Sequence, residues 1–510
     1  MTTVGRQVAL EASEVLHGER WTAPGAARRT LRTIVHVTAE YYPYARTGGL
    51  AEAVAGLATS QADAGRAVVV FMPLYPAVRE AAPDLVPLGP LQDISVGAHT
   101  QQVRFFQREL QDGGPRIVFI DAPAMFARPG LYGEDGADYP DNHLRFAMFS
   151  RAAVEGIRQL VTGHVLVHAH DWHAAFAPVF LRAVGTPIED TPVVMSVHNA
   201  GFQGHFSEAV MTDLGLPWEL WNLHHFEWYG QFNALKGGMS FCDAVATVSP
   251  SHAAELRTAE GGFGLHDAFT LLGPRLVGVC NGIDQRAWNP ATDPGIARRF
   301  TTQHLEGKAV CKEALQRTFG LAPRPEVPLF GICARLTRQK GFDLMLTSER
   351  LRTLDAQFAF LGTGDAYYQQ ALTALQRARP EQVAVEFGFT DELEHRLMAG
   401  ADIALVPSLY EPCGLSQMHA QRYGTLVIGR RTGGLHDTVR DGQTGFLFDD
   451  YSAAAFDAAI DRALATFADP DEWRRMMRCA MRVDFGWGSA ARRYLELYEA
   501  AERHAQAPAK

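Results

Sequence analysis

Short apolar runs alternate with stretches of helical spacing along nearly the whole chain. Ile34-Val35-His36-Val37 reads as a buried strand, Leu50, Val54, Leu57 and Ala58 line one face of a helix over residues 50–64, and Ala67 to Phe71 reads as the next strand. Together they make a βαβ unit. Val165-Leu166-Val167, the run ending at Ser196-Val197-His198-Asn199, Asp243 to Ser249 and Leu276 to Val279 continue the strand series. From about Pro328 a second series begins, with PLFGICARL, QFAFLGTG, VAVEFGF, IALVPS and TLVIGR as strands and helical patterns between them. Ala453 to Phe467 and Trp487 to His504 have amphipathic helical spacing. Strand and helix alternating at this spacing predict an α/β fold with two parallel sheets.

At 510 residues the chain exceeds one ordinary core, so two domains are expected. The boundaries read as an extension over 1–31, a first domain over 32–276, a second over 277–484 and a terminal helical segment over 485–510, with Asp484-Phe485-Gly486-Trp487 as the interruption before it.

In an open parallel sheet the chemistry collects beyond the carboxyl ends of the strands, so the residues there carry the argument. Ile403 to Val406 is such a strand; it breaks at Pro407, passes through a loop with Glu411 and resumes as a helix after Gly414. Arg335 and Lys340, five positions apart after another strand, suit a pyrophosphate, although a solvated basic loop is an equal reading of these residues alone. Gly48 and Gly49 open the first helix, where they allow either close approach of a ligand or simply a tight turn. His168-Ala169-His170-Asp171-Trp172-His173 follows a strand; His170 and Asp171 are adjacent rather than on one helix face, so no metal is expected. Leu131 to His143 reads as an irregular rim with Asp141 as the N-cap of the next helix. Trp218, Trp221, Phe226 and Trp228 read first as a satellite core and second as an acceptor surface. Gly362-Thr363-Gly364 lacks the third glycine and the downstream acid of a dinucleotide fingerprint and is read as a tight turn.

Composition narrows the classes. Hydrophobic residues at 47% and charged residues at 20% describe a folded globular chain. The net charge of −10, without a run of Lys and Arg, argues against a nucleic-acid partner. No apolar run approaches the ~18 residues that a membrane span needs, and no basic region followed by an apolar stretch opens the sequence. Six scattered cysteines, Cys242, Cys280, Cys311, Cys333, Cys413 and Cys479, read as reduced thiols of a cytoplasmic protein.

Glu411-Pro412-Cys413-Gly414-Leu415 followed by Arg430-Arg431-Thr432-Gly433-Gly434-Leu435, together with HAHDWH and Asn281-Gly282-Ile283-Asp284, closely resembles the glycogen and starch synthase family of glucosyltransferases. Matching motifs run in order from about Ile34 to Tyr498. The resemblance implies the GT-B architecture, two Rossmann-like domains facing a deep cleft that closes on the donor, with the last helix crossing back to the first domain. It implies retaining transfer of glucose from ADP-glucose, or UDP-glucose, to the non-reducing end of an α-1,4-glucan, with no metal or organic cofactor. By it, His170 meets the transferred sugar, Arg335 and Lys340 stabilise the departing phosphates, and Glu411 contacts the donor. Cys413, Gly414, Leu415 and Ser416 match the turn that reaches sugar or phosphates, His419 the ribose position, Phe389 the adenine stack and Asn281 a polar group at the cleft. The family's Lys-x-Gly-Gly-Leu with Asp two residues later is here Arg46-Thr47-Gly48-Gly49-Leu50-Ala51-Glu52, so Arg46 and Glu52 both depart from the pattern. Three other readings stand beside this one: a related transferase with another nucleotide sugar or a small acceptor, a phosphorylase carrying pyridoxal phosphate, and a non-catalytic glucan-binding relic.

Overall fold

The computed structural model describes residues 32–108, 113–134, 136–185, 188 and 191–506; the extension read over residues 1–31 lies outside them. The chain forms two compact units. One takes the residues up to Thr247, Leu256–Val279 and everything from Gly488 on; the other takes Val248–Glu255 and Cys280–Trp487.

The first unit is built on a nine-stranded sheet: β1 (Thr33–Val37), β2 (Val68–Pro73), β3 (Val86–Val96), β4 (His99–Gln107), β5 (Arg116–Asp121), β6 (Val165–His170), β7 (Val193–Val197), β8 (Ala244–Thr247) and β9 (Leu276–Gly278). Their order across the sheet is β9-β8-β7-β6-β1-β2-β5-β4-β3. Strands β9 through β5 pair in parallel, with His36 of β1 opposite His168 of β6. The β1, β2 and β6 side chains are buried without alternation, as expected of strands covered on both faces. Antiparallel pairing in this sheet is confined to β5 with β4 and β4 with β3, so β4 alone runs against the others, and β3 and β4 form a hairpin at the sheet's edge. The apolar pattern does not announce this hairpin, because Gly89 and Pro90 interrupt the alternation where the register shifts between Leu88 and Gln92.

The Asn142–Leu160 helix starts where the sequence places it, but Asp141 does not cap it with its side chain. Its carboxylate is gripped at both oxygens by Arg128, at 2.7 and 2.6 Å, and that guanidinium holds the Asp141 carboxyl below its usual range. A two-point grip from a guanidinium outcompetes a single backbone N–H. The terminal helix, Trp487–Ala505, sends Tyr494 and Tyr498 into the first unit's interior and pairs Glu502 with Arg32 at 3.0 Å.

The second unit holds a six-stranded parallel sheet of β10 (Leu329–Cys333), β11 (Gln357–Leu361), β12 (Val383–Glu386), β13 (Ile403–Val406), β14 (Leu426–Arg430) and β15 (Gly445–Phe448), in the order β12-β11-β10-β13-β14-β15. Alternate residues divide between its faces. Phe330, Ile332, Phe358, Phe360, Ile403, Leu405, Leu426, Ile428, Phe446 and Phe448 join one core, while Ala404, Val406, Val427 and Leu447 join another. This is the period-two geometry of a strand buried on both sides. The edge strand β15 is four residues long, between Gly-rich and acidic turns, and too short to stand out in the sequence.

A buried ion pair pins this sheet. Lys312 Nζ lies 2.7 Å from Asp402 Oδ2 and donates to the carbonyls of Pro325 and Val327, and Asp402 also accepts from the Leu329 N–H. The start of β10 is thereby tied to the turn before β13. Removing one partner leaves the other charge buried and unpaired, so Lys312→Met is expected to destabilise the protein by about 3–5 kcal/mol. Denaturant unfolding followed by circular dichroism measures this, and an unchanged midpoint contradicts it.

Candidate functional site

The second unit brings Arg335, Lys340 and Glu411 to one edge of its sheet. Strands β10 and β13 are parallel neighbours, with Phe330 opposite Ile403 and Gly331 opposite Ala404, so the loops that leave their carboxyl ends emerge side by side. Leu409 N–H donates to Gln339 O at 2.8 Å. Lys340 Nζ then sits 2.6 Å from Glu411 Oε2, which also accepts from Ser408 Oγ at 2.8 Å. The pair is largely enclosed, the lysine side chain being 18% exposed and the glutamate 5%. Arg335 differs: its side chain is exposed and has no ion-pair or hydrogen-bond partner among the described residues.

Glycines allow these loops to touch through their backbones. A β-carbon on Gly341, at φ +79, would fall 2.2 Å from Pro407 O; one on Gly364, 2.4 Å from Leu336 O; and one on Gly434, 2.0 Å from Cys413 O. The Gly362-Thr363-Gly364 turn is therefore a brace for the loop that carries Arg335. Thr432 and Gly433 in turn donate to Glu255 Oε1, and Gly434 N–H donates to Glu411 O at 2.9 Å.

The turn after Glu411 is held by Gln417, whose amide donates to Cys413 O and Gly414 O, both at 2.8 Å. Cys413 is buried, which pushes its thiol well above the usual range, and it accepts from the Asn281 backbone N–H. Gly414, Leu415 and Ser416 are half-buried, and Phe389 is 42% exposed on its own loop. His419 is buried, its ring stacks on Trp288 at 3.6 Å and Nδ1 contacts Glu394 at 3.2 Å, while Nε2 has no hydrogen-bond partner among the described residues.

In the first unit, Arg46 lies in the loop after β1, and Gly49 begins the Gly49–Asp63 helix. The two departures from the family pattern meet: Arg46 Nη1 is 3.2 Å from Glu52 Oε1. Gly48 has extended backbone at φ −169, and an added β-carbon would meet nothing within 4 Å, so packing does not demand glycine there. The group organising this loop is Glu40, which the pattern of the sequence does not single out. It is buried and accepts from Thr47 N–H at 2.7 Å, Thr47 Oγ1 at 2.7 Å and Tyr132 Oη at 2.5 Å, while burial pushes its carboxyl up.

His170, at the end of β6, is wholly buried and bonded at both ring nitrogens, to His36 at 2.9 Å and His198 at 3.0 Å. His168 is likewise bonded at both, to Tyr498 and Ser196. His36, His168 and His170 have ring nitrogens within 4.8 Å of one another, the spacing of a metal cluster. Each of their six ring nitrogens is already engaged in a hydrogen bond, so no lone pair is directed at a common point. Burial holds His168 and His170 well below the ordinary imidazole range and His36 at about 4. Asp171 adopts φ 57, uncommon for a residue with a side chain, and its Oδ1 accepts the His198 N–H at 2.7 Å. Burial raises its carboxyl to about 7.

Comparison with known proteins adds to this geometry. Residues 33–270 match the family described as starch synthase catalytic domain, and residues 318–478 match glycosyl transferases group 1. A glycogen synthase of Serratia proteamaculans is 39% identical over 483 residues, covering 91% of this chain and 99% of that one. A glycogen synthase of Variovorax paradoxus is 40% identical over 493 residues, covering 92% and 98%. The solved catalytic domain of starch synthase IV from Arabidopsis thaliana, bound to ADP and acarbose, superposes with a TM-score of 0.84 at 32% identity, covering 92% of this chain and 99% of that one.

Asp171 yields a stability prediction. Its folded value near 7 lies above the unfolded value near 3.8, so the folded state binds the extra proton between them. Stability contributed through Asp171 therefore falls as pH rises from about 4 to about 7, by a few kcal/mol. Asp171→Asn keeps an acceptor oxygen and tolerates φ 57, and is expected to flatten that slope, gaining on the wild type as pH rises. Thermal melts across pH 4–8 check this; parallel profiles for the two proteins contradict it.

Proposed function

The chain belongs to the glycogen and starch synthase family, and from that premise we propose that it transfers glucose from ADP-glucose to the non-reducing end of an α-1,4-glucan with retention of configuration. The observation that carries the reading is the enclosed Lys340–Glu411 pair at 2.6 Å, with the exposed and unpartnered Arg335 five residues before Lys340. Bond cleavage builds negative charge on the departing diphosphate, and catalysis gains from cations already in place when that charge appears. The lysine ammonium has three N–H donors and spends one on Glu411, so it has donors left for phosphate oxygens. Arg335 presents a planar fork suited to the same oxygens. Glu411, fixed by Lys340 and Ser408, orients the donor rather than acting as a covalent nucleophile.

Further residues of each unit take supporting parts. Cys413, Gly414, Leu415 and Ser416 form the turn on which the sugar and phosphates rest, Asn281 adds a polar group beside it, and Phe389 offers a ring face to the base, while His170, bonded at both ring nitrogens, has none left for the sugar. In the first unit, Arg46 meets the substrate's anionic groups, and Glu52 sets the angle of its fork. Six free cysteines accord with a reducing, cytoplasmic setting.

Arg335→Ala and Lys340→Ala are each expected to lower turnover roughly a hundredfold to a thousandfold with a much smaller rise in the donor KM. Glucan extension measured side by side with ADP-glucose and UDP-glucose provides the assay. Near-normal turnover in either variant removes the diphosphate role, and extension with neither nucleotide sugar by the wild type removes the transfer reading.

The Arg46–Glu52 pair is expected to act as a unit. Arg46→Lys with Glu52→Asp should recover more activity than the sum of the single losses allows, by about 0.5–3 kcal/mol of coupling in a double-mutant cycle. Strict additivity would show that the two residues work independently.

A further inference from the structure

A cavity of about 310 Å³ lies within the second unit, between the turn at Asn289, the segment Thr301-Thr302 and the side chains of Arg422 and Arg482. No Asp or Glu is among the described residues that line it, so its walls carry two cations and no opposing charge. Arg422 is half-buried. Its Nε donates to Trp288 O at 3.4 Å and its Nη1 to Met481 O at 3.1 Å, both of them carbonyls, and it forms no ion pair among the described residues. Asp484 acts on it through space, but the Asp484 carboxylate already accepts from Gln285 Nε2 at 2.5 Å and from Gly486 N–H at 2.9 Å. Burial pulls the Arg422 guanidinium down from its usual range without discharging it.

The polar groups on the walls are donors with capacity to spare. A guanidinium has five N–H groups, and Arg422 spends two of them, which leaves three. Arg482 is exposed and has no hydrogen-bond or ion-pair partner among the described residues. Asn289 Oδ1 accepts from Ala291 N–H at 3.0 Å, which fixes the amide so that its NH2 is the end left over. Thr301 Oγ1 accepts from His304 N–H at 3.2 Å and keeps its own hydrogen to give. A cationic wall of donors is complementary to a group that only accepts and is doubly charged, and a phosphoryl dianion offers three such oxygens. The volume is about ten times the roughly 30 Å³ share of one water in the liquid and stands at the lower end of small-molecule sites, so a phosphoryl group leaves room for a small organic remainder.

We propose that this cavity is a second anion site, taking a small phosphorylated molecule whose phosphoryl oxygens are held by Arg422, Arg482 and Asn289. It is distinct from the place of the donor diphosphate. The turn after Glu411 opens the Ser416–Arg422 helix and Arg422 ends it, and a rise of about 1.5 Å per residue puts roughly 9 Å between the two along the helix axis. The inference stands apart from the transfer reading and uses none of Arg335, Lys340 and Glu411.

Isothermal titration of the full chain at fixed ionic strength tests this, with inorganic phosphate and ribose 5-phosphate as probes. Saturable binding of both is expected, ribose 5-phosphate at least as tightly as phosphate, and it should survive Arg335→Ala, which empties a cation from the donor diphosphate's place and leaves the cavity as it is. Arg482→Ser removes a side chain without a partner among the described residues and should weaken both probes about tenfold, the loss of one charge-assisted contact at an exposed position. Asn289→Asp keeps an oxygen to accept from Ala291 and sets a carboxylate in the cavity, so it should abolish measurable binding through like-charge repulsion. Thermal melts show whether each variant is folded, and Arg482→Ser decides alone if Asn289→Asp is not. Four results overturn the proposal: no binding by the wild type, binding of phosphate with exclusion of ribose 5-phosphate, binding lost in Arg335→Ala, or an unchanged affinity in Arg482→Ser or in folded Asn289→Asp.

Discussion

Backbone contact without room for a β-carbon is the constraint on which the second unit's chemistry depends. Gly341 against Pro407, Gly364 against Leu336 and Gly434 against Cys413 each bring one loop onto another's carbonyl oxygen at a separation that only glycine permits. Parallel strands deliver those loops to the same edge, and the glycines lock them at a fixed height. Lys340 and Glu411, seventy-one residues apart, meet at 2.6 Å because neither loop is free to drift. A cation held in place before the substrate arrives does not have to reorganise when charge develops, which is the main advantage an enclosed site has over water.

The first unit solves a different problem, the burial of many polar groups. Glu40, Asp171, His36, His168 and His170 lie where water does not reach, and each would be costly if left unpaired. Hydrogen bonds supply the compensation, and burial moves the ionisable groups toward their neutral forms: carboxyls upward, imidazoles downward. A row of neutral imidazoles is directional, since each ring must donate on one side and accept on the other.

Much of this was legible along the chain. The strand at Ile34–Val37, the helix over residues 50–64, the second series of strands and the helix at Ala453–Phe467 all reappear, because strands buried on both faces leave unbroken apolar runs and long helices leave a clear period. The family resemblance followed from motifs at strand ends, where loops carry the chemistry. The β3–β4 hairpin escaped notice because one face meets water and Gly89-Pro90 breaks its alternation. Asp141 is no side-chain cap because Arg128 is a stronger partner than a helix N–H, and nothing local along the chain reveals that Trp288 stacks on His419.

By itself, then, the sequence determined the architecture of two parallel sheets, the family, and which loops hold Arg335, Lys340 and Glu411, since periodicity and short motifs are local properties. Tertiary structure decided which side chains are spent on one another. Lys340 is paired with Glu411, Arg46 with Glu52, His419 is stacked on Trp288, and both nitrogens of His170 are occupied. The contacts of Glu40, Gln61 and Tyr498 likewise appear only in the fold. Hydrogen bonds between residues hundreds of positions apart depend on distance and on the number of donors and lone pairs available, and neither quantity is written in the order of residues along a chain.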